Sequence, residues 1–372
     1  MSNRLLVATR KGLFAFERSN RKGKPSWVIQ QTSFLADNVT LVLPDARDGS
    51  VYAALDHGHF GVKLHRSADG GVHWQECAVP VYPPKPEELE EPAPEGATSY
   101  PWSLKLVWAL ETGGSDQPDV LWCGTLPGGL FHSNDRGESW TMVRSLWDRP
   151  ERTEWFGGGA DFPGIHSICV DPRDSQRVTL GVSCGGVWVT PDGGKTWACR
   201  ASGMWASYMP PERKDDPNIQ DPHRVVQCAA NPDVLWAQHH NGIFRSADGA
   251  ASWREVTSTP SSFGFAVAVH PADPDTAWFV PGISDEKRIP VDGKVVVSRT
   301  RDGGNTFEVL RKGLPQEHAY DLTFRHALDV DKTGNRLAFG STTGSLWISE
   351  DQGDTWQPIT SHLPPVYCVR FG

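Results

Sequence analysis

The histidines are the residues of this sequence whose spacing most suggests chemistry. His57 and His59 are separated by one glycine, and His239 and His240 are adjacent. Neutral imidazole is the commonest metal-binding side chain in proteins. We therefore predict that these four histidines bind a divalent metal ion, with Mn, Zn or Ca as the candidates. Their spacing matches no diagnostic zinc signature, so the identity of the cofactor stays open at this stage.

A second set of residues has the side chains that acid–base catalysis on an acidic substrate requires. Arginine neutralises a substrate carboxylate, and a tyrosine or a free histidine takes up and returns protons. The candidate catalytic residues are His166, His223, Arg288, Tyr320, Asp321 and Arg325. Each histidine taken alone also fits a buried structural role, so the prediction depends on whether the fold brings these residues together.

A short motif that recurs along the chain shows which elements must position these residues. It reads Ser/Thr-x-Asp-x-Gly-x-x-Trp/Phe and occurs six times, with Ala250 in place of the glycine in the fourth copy. Its aspartates are Asp69, Asp135, Asp192, Asp248, Asp302 and Asp351. The copies are separated by about 50 to 65 residues, which suits one four-stranded propeller blade with its turns.

Each copy of the motif lies between two runs of alternating apolar and polar residues. Such runs predict two strands joined by a tight hairpin. The aspartate can accept hydrogen bonds from N–H groups of the turn, and the glycine supplies the positive φ that the turn needs. The Trp or Phe then packs between neighbouring sheets. We therefore predict a structural role for the six aspartates rather than a catalytic one.

These motifs resemble the Asp box, or BNR repeat, of sialidases and their propeller relatives. The resemblance runs from Ser67 to Trp356 and thus covers nearly the whole chain. It implies an all-β propeller fold. It says little about activity, because Asp-box propellers include hydrolases, receptors and assembly factors.

The residues upstream of the first box supply a seventh unit. Leu5–Thr9 and Gly12–Phe16 have the pattern of strands, and the segment from Ser19 to Trp27 resembles a decayed box with a basic hairpin and no aspartate. The C-terminal run Val366–Phe371 is expected to complete this N-terminal blade and close the ring, which removes exposed sheet edges.

We predict a single seven-bladed β-propeller of four-stranded blades, with residues 1–372 as one domain. A six-bladed ring with Leu5–Trp27 as an addition is the alternative. The long insertions are all expected on the face opposite the boxes, and they span residues 79–100, 144–164, 201–221 and 281–294. Long loops on a rigid scaffold are where binding and catalysis concentrate. We therefore place the site at the channel mouth on that face, with Trp155, Trp205 and Tyr208 as candidate aromatic platforms.

The composition limits the classes of partner and compartment. The formal net charge is −9 and no basic block extends beyond Arg18–Lys24, so we expect neither nucleic acid nor an anionic membrane as the main partner. No signal peptide and no apolar run of membrane length is visible, so we expect a cytoplasmic protein. The seven cysteines contain no C-x-x-C pair and are expected to be reduced thiols.

The sequence leaves several functions open. A carbohydrate-active enzyme comes first, either glycoside hydrolase-like or a metal-assisted lyase, with a small molecule or an oligosaccharide as its ligand. A non-catalytic platform that binds a protein or another ligand is the alternative. True exo-sialidase activity is not expected, because the Arg288-Ile289-Pro290 sequence follows the fourth box whereas the sialidase motif precedes the first.

Overall fold

The strands of the protein form seven separate four-stranded antiparallel sheets. The computed structural model describes residues 1–21, 24–88, 100–158 and 160–372. Within these ranges the chain has 28 strands, one four-residue α-helix and short 3-10 turns. None of the described helices has the length and apolar character needed to cross a membrane. The prediction of an all-β, seven-bladed architecture is confirmed.

The chain begins with three strands of one blade, which we call the closing blade. These strands are β1 (Arg4–Thr9), β2 (Gly12–Arg21) and β3 (Lys24–Ser33). Blade 1 follows, with β4 (Val39–Pro44), β5 (Val51–Asp56), β6 (Val62–Ser67) and β7 (Gln75–Cys77). Blade 2 contains β8 (Leu106–Thr112), β9 (Leu121–Leu126), β10 (Leu130–Ser133) and β11 (Thr141–Met142). Blade 3 contains β12 (Ile165–Val170), β13 (Val178–Val182), β14 (Gly186–Thr190) and β15 (Ala198–Cys199).

The second half of the ring repeats this order. Blade 4 contains β16 (Pro222–Gln227), β17 (Leu235–His239), β18 (Gly242–Ser246) and β19 (Arg254–Val256). Blade 5 contains β20 (Gly264–Val269), β21 (Ala277–Pro281), β22 (Val297–Thr300) and β23 (Glu308–Leu310). Blade 6 contains β24 (Leu328–Val330), β25 (Leu337–Gly340), β26 (Leu346–Ser349) and β27 (Gln357–Thr360). The last strand, β28 (Val366–Phe371), belongs to the closing blade.

The helical segments lie in the connections between strands. The α-helix is α1 (Arg144–Trp147). The 3-10 turns are Gly58–Phe60, Pro150–Glu154, Pro217–Ile219 and Val291–Gly293.

The ring closes through the two ends of the chain. The inner strands contact one another in the order β4, β8, β12, β16, β20, β24 and β28, and β28 contacts β4 again. β28 pairs antiparallel with β1, with Leu5 opposite Phe371 and Val7 opposite Val369. The N-terminal strands are therefore part of a full blade, and the six-bladed alternative is wrong.

The boxes form the hairpins between the third and fourth strands of blades 1 to 6. In each box the Ser or Thr hydroxyl donates a hydrogen bond of 2.7 to 2.9 Å to the aspartate Oδ1. The same hydroxyl accepts one from the main-chain N–H at the glycine position. The aspartate also accepts the N–H four residues further on. All six aspartates are therefore used by their own hairpins.

Several boxes also join two neighbouring blades. An aromatic residue occupies the second position of the second strand in blades 1, 2, 4 and 5, and each is almost fully buried: Tyr52, Trp122, Trp236 and Trp278. The Trp278 indole N–H donates to the carbonyl of Gln352 in the next box at 2.9 Å. The Tyr52 hydroxyl donates to the carbonyl of Arg136, also in the next box, at 3.3 Å. The box thus fastens its own hairpin and packs against the preceding blade.

The closing blade has no box aspartate, in agreement with the decayed motif. Its β2–β3 hairpin is longer, and the turn at 22–23 lies outside the described residues. In blade 4, Ala250 adopts a φ of +67°, where the other boxes have glycine. The fold accepts an L-residue there at the cost of backbone strain.

Six of the seven inner strands contain a β-bulge or register shift on the side where they begin. The side chains at the extra positions are Thr40, Trp108, His166, His223, Phe265 and Tyr367. A bulge re-aims a side chain out of the regular alternation of the strand. The bulges thereby place a ring of aromatic and polar side chains at one end of the axial channel.

Candidate functional site

The axial channel has a cavity at each end. One has a volume of about 440 Å³ and is lined by residues near the ends of inner strands, including Glu111 and Gln227, so it lies on the box side. The other has a volume of about 310 Å³ and is lined by residues near the starts of inner strands, so it lies on the opposite side. We call this second cavity the loop-side mouth. Its lining includes Asn38, Asp56, Trp108, Phe324, Arg325 and Tyr367.

The charged groups around the larger, box-side cavity already have partners. Arg47 forms an ion pair with Asp45 at 2.7 Å, and Glu111 accepts hydrogen bonds from both the N–H and the hydroxyl of Thr112. Arg224 donates to the carbonyl of His166 at 3.0 Å. Because these groups are satisfied by the protein, the greater size of this cavity does not make it the better site.

The loop-side mouth contains polar groups without partners. Within the described ranges, the guanidinium of Arg325 makes no hydrogen bond or ion pair, and it lies 4.8 Å from the ring centroid of Trp108 and 5.3 Å from that of Phe265. Burial lowers the pKa of Arg325 to about 10. The buried Oδ1 of Asn38 also has no hydrogen-bond partner among the described residues. The mouth therefore offers one cation and one acceptor to a ligand.

Next to Arg325 lies a cluster of one carboxylate and two imidazoles. Asp221 is 1% exposed, and its Oδ2 is 3.4 Å from Nε2 of His223 and 3.7 Å from Nδ1 of His240. One ligand atom from each of the three residues falls within 4.8 Å of the others. In the described part of the chain this is the one group of three or more His, Cys, Asp and Glu side chains with metal-binding spacing.

The local structure of blade 4 explains the cluster. Asp221 immediately precedes β16, and its carbonyl accepts the N–H of His240 at 3.0 Å, so these two residues are neighbours across two strands. His223 is the extra residue of the β16 bulge, between the paired residues Pro222 and Arg224. The bulge turns the His223 ring toward Asp221 and stacks it on Phe265, with ring centroids 4.4 Å apart.

Burial and the charges of Asp221, His223 and Arg325 determine the pKa values in the cluster. Burial alone would raise the pKa of Asp221, but hydrogen bonding to His223 and the nearby charge of Arg325 hold it below its ordinary value. Burial lowers the pKa of His223, and Asp221 opposes that effect. The ionised form of Asp221 is therefore favoured, and loss of the Nε2 proton from His223 would make that nitrogen available as a base or a ligand.

The predicted set of four metal-binding histidines is not assembled by the fold. His57 and His59 belong to blade 1, whereas His239 and His240 belong to blade 4, three blades away around the ring. His57 instead has its Nε2 3.9 Å from Asp37, and His59 is exposed.

His239 is unsuited to binding a metal for a separate reason. Its side chain is fully buried, and its ring nitrogens each lie 3.1 Å from a main-chain nitrogen, those of Asp221 and Asn241. Of the four predicted ligands, only His240 lies in a metal-like cluster.

Of the predicted catalytic residues, Arg325 lines the loop-side mouth, and His223 lies in the buried cluster next to Arg325. His166 is buried in the channel wall beside Trp108, with its Nδ1 2.9 Å from the Ser167 hydroxyl. Its Nε2 has no hydrogen-bond partner among the described residues. Burial holds the pKa of His166 well below its ordinary value, so the ring is neutral.

The other three predicted catalytic residues are placed differently. Arg288 lies over Phe265 at 5.3 Å, but it forms an ion pair with Asp285. Asp321 accepts hydrogen bonds from the hydroxyls of Ser341 and Thr343, so it organises a loop. Tyr320 is 59% exposed. Neither Tyr320 nor Asp321 lines the loop-side mouth.

The aromatic residues of the insertions have mainly structural contacts. Trp155 is buried against Trp188, and its indole N–H donates to Asn218 at 2.9 Å. Trp205 donates to Glu255 at 2.9 Å. Trp155 is therefore not a sugar platform. Tyr208 packs edge-on against His240, with ring centroids 4.9 Å apart, and thus borders the cluster.

Sequence reasoning missed Asn38, Asp56, Trp108 and Tyr367 as lining residues of the mouth. Trp108 and Tyr367 are bulge residues of inner strands, and Asp56 ends β5 on the same side. A comparison of the second or third residue of each inner strand across the seven repeats would have shown a run of aromatic and polar types. That signal is available from the sequence once the blades are aligned.

Comparison with known proteins adds to this geometry. No family model matches the chain. A probable oligoxyloglucan-reducing end-specific xyloglucanase of Neosartorya fischeri is 26% identical over 284 residues, which are 69% of this chain and 32% of that protein. The enzyme of that name from Emericella nidulans is 26% identical over 285 residues, 68% of this chain and 32% of its own length. The match thus spans about a third of the length of these curated relatives.

Solved structures show the same architecture at lower identity. The GH74 xyloglucanase from Xanthomonas campestris superposes with a TM-score of 0.61 at 16% identity, over 96% of this chain and 53% of that one. YCF48 from Cyanidioschyzon merolae superposes with a TM-score of 0.52 at 13% identity, over 88% and 87% of the two chains. These structural likenesses establish the propeller fold. The sequence similarity to the two xyloglucanases covers 69% and 68% of this chain.

Proposed function

We propose that the protein is a carbohydrate-active propeller of the glycoside hydrolase type that binds an oligosaccharide at its loop-side mouth. The observation that carries the proposal is Arg325. Its guanidinium lies over Trp108 in the mouth without a hydrogen bond or ion pair to any other described residue. A half-buried cation that the protein leaves unsatisfied is a group that a ligand can satisfy.

The rest of the mouth has the chemistry that sugars need. Trp108, Phe324 and Tyr367 provide aromatic surface for the apolar faces of sugar rings. Asp56 and Asn38 provide oxygens for hydroxyl groups. The cavity of about 310 Å³ is at the lower end of the usual size of ligand pockets, roughly 300 to 1,000 Å³. The mouth therefore suits a short segment of an oligosaccharide.

The similarity to xyloglucanases supports a carbohydrate as the ligand. The matched relatives carry names that specify xyloglucan as their substrate, and the similarity covers 69% of this chain. Because the match is only a third of the relatives' length, we treat substrate and reaction as parts of the proposal. Xyloglucan oligosaccharides are the first ligands to test.

Asp56 is the carboxylate that we assign to acid–base chemistry in the mouth. Its Oδ1 accepts the N–H of Gly58 at 2.9 Å, and its Oδ2 is 3.4 Å from Nδ2 of Asn38. Glycoside hydrolysis ordinarily uses two carboxylates on either side of the scissile bond. Among the described lining residues Asp56 is the only one with a carboxylate, so the acid–base chemistry is assigned to this residue.

The experiment measures binding and hydrolysis separately. A panel of xyloglucan oligosaccharides, neutral β-glucan oligosaccharides and uronate-containing oligosaccharides is titrated into the protein by calorimetry. The same panel is incubated with the protein, and new reducing ends are quantified. We expect binding of at least one panel member, and release of reducing ends that is lost in Asp56→Asn while binding is kept.

Asp321→Asn is the matched control, because Asp321 is a carboxylate that accepts hydrogen bonds from Ser341 and Thr343 in the connection between β25 and β26 and does not line the mouth. It should leave both binding and hydrolysis unchanged. Binding without any release of reducing ends would reduce the proposal to a non-catalytic sugar-binding platform. No binding of any panel member would contradict the proposal.

A further inference from the structure

We infer that Asp221, His223 and His240 form a binding site for one divalent transition-metal ion. Asp221 Oδ2 lies 3.4 Å from His223 Nε2 and 3.7 Å from His240 Nδ1. An ion bound tetrahedrally to nitrogen and oxygen at ordinary distances holds its ligand atoms about 3.4 Å apart. The three atoms therefore need only small side-chain movements to reach a common ion. This assignment does not depend on the proposed carbohydrate function.

The neighbours of the cluster orient each ligand toward the common point. His223 Nδ1 is 2.6 Å from the carbonyl of Gly264 and donates to it, so Nε2, which faces Asp221, is the nitrogen that would bind a metal ion in place of a proton. Asp221 Oδ1 accepts hydrogen bonds of 3.1 Å from the Ser183 hydroxyl and the Cys184 N–H, which leaves Oδ2 toward the two imidazoles. Partners of this kind behind the ligands are typical of metal sites.

A close main-chain contact preserves the space beside the carboxylate. A Cβ at Gly158 would lie 3.0 Å from Asp221 Oδ2 and 2.4 Å from the Cys184 sulfur. The glycine is therefore required for the insertion between blades 2 and 3 to pass so close to the cluster. The close contact with Asp221 and Cys184 explains why a glycine is needed at position 158.

The donor set selects the class of ion. Two imidazole nitrogens and one carboxylate oxygen suit Zn²⁺, Fe²⁺ or Mn²⁺, and three-residue sites of this composition keep an open position for water or substrate. Ca²⁺ prefers an all-oxygen set of six to eight ligands, which this cluster does not provide. Of the three ions suggested by the sequence, Zn and Mn remain and Ca is disfavoured.

The surroundings indicate how the coordination is completed. His240 is 23% exposed, so the ion can reach the cluster from solvent. Arg325 and Arg288 lie around Phe265, on which His223 stacks. Arg288 is paired with Asp285, but the positive charge of Arg325 opposes a bare dication and favours an anionic further ligand, such as hydroxide or a carboxylate.

The test is metal binding by the full chain made without a polyhistidine tag. The protein is stripped with a chelator, dialysed against Zn²⁺ or Mn²⁺, and analysed for metal content, and its affinity is measured by calorimetry. We expect one Zn²⁺ per chain. His240→Gln should weaken that binding by on the order of a hundredfold, and Ser183→Ala by about ten- to a hundredfold because it frees Asp221 to turn.

His57→Gln is the matched control, because His57 also approaches an aspartate but belongs to no three-residue cluster of potential ligands among the described residues. It should bind Zn²⁺ as the unmodified chain does. The side chain of His240 is partly exposed, so we expect His240→Gln to fold. The thermal unfolding temperature of the metal-free proteins checks this. A chain that takes up no stoichiometric metal, or a folded His240→Gln that binds Zn²⁺ with unchanged affinity, would overturn the assignment.

Discussion

The two faces of the ring use charged residues in opposite ways. On the box side, each aspartate is bonded within its own hairpin, and Arg47, Glu111 and Arg224 are satisfied by protein groups. At the loop-side mouth, Arg325 and the Oδ1 of Asn38 have no hydrogen-bond partner among the described residues. The comparison teaches that the repeat motif identifies the stabilising face, and that function is to be sought where polar groups are left unsatisfied.

The largest effect should come from removing a box aspartate. Asp351 accepts the Ser349 hydroxyl at 2.7 Å and the Thr355 N–H at 2.9 Å. Asp351→Ala is expected to lower the free energy of unfolding by about 2 to 3 kcal/mol, because several hydrogen bonds to a charged acceptor are lost. Urea unfolding followed by tryptophan fluorescence measures this. If stability were unchanged but sugar binding were lost, the division of roles between the faces would be wrong.

A change at the mouth should alter binding with little effect on stability. Arg325→Met keeps the aliphatic stem over Trp108 and Phe265 but removes the unpartnered cation. Oligosaccharide affinity should fall ten- to a hundredfold, or about 1.4 to 2.7 kcal/mol. Arg47→Met, which changes the lining of the box-side cavity, is the control and should leave affinity within about twofold. The opposite pattern would move the site to the box side.

The two faces should also respond to different ranges of pH. Burial holds the pKa of His326 well below its ordinary value of 6.5, so the unfolded chain takes up a proton there before the folded one does. The stability is therefore complete above pH 6.5 and is lost as the pH falls toward the folded-state pKa. The loss for one such histidine is about 1 kcal/mol between pH 6.5 and 5.5.

The difference between the wild type and His326→Gln isolates this contribution, because other buried histidines titrate in both proteins. His326→Gln should reduce the change in unfolding free energy between pH 6.5 and 5.5 by that amount. The box carboxylates affect stability at a lower pH than His326, because hydrogen bonds from Thr196 lower the pKa of Asp192 to about 2. Their stabilisation is present above about pH 4 and is lost below it. If the unfolding free energies of the wild type and His326→Gln changed equally between pH 6.5 and 5.5, His326 would not be the source of this pH dependence.

The smallest effect is expected from exchanging alanine and glycine in the boxes. Gly137 has a φ of +90°, and a Cβ there would meet its nearest neighbour at 3.6 Å, so Gly137→Ala tests backbone strain without a clash. It should cost about 1 kcal/mol. Ala250→Gly should change stability by less, because relief of strain is offset by a more flexible unfolded chain and a lost buried methyl group. A larger loss for Ala250→Gly than for Gly137→Ala would show that the methyl group dominates.

The sequence was informative where interactions are local. The hydroxyl, the carboxylate and the glycine of a box lie within a few residues of one another, so the motif alone specifies the hairpin. The pairing of β28 with β1 was also predictable, because an unpaired strand pattern at each end of a repeat protein calls for closure. The contact of Trp278 with the next box was not, since it joins residues more than seventy positions apart.

The site was less accessible to sequence reasoning because it depends on bulges and on position around the ring. Proximity in sequence linked His57 with His59 and His239 with His240, but blades 1 and 4 are three apart, and both ring nitrogens of His239 face main-chain nitrogens. Asp221, His223 and His240 meet because a register shift in β16 re-aims one of them. A register shift has no reliable signature in a single sequence.

The most direct test of the central claim is a crystal structure of the protein with the tightest-binding oligosaccharide of the panel. The account predicts sugar density in the loop-side mouth, with a ring against Trp108 or Tyr367 and a hydroxyl or carboxylate oxygen within hydrogen-bond distance of the Arg325 guanidinium. Density in the box-side cavity beside Arg47 and Glu111, with none in the loop-side mouth, would contradict it.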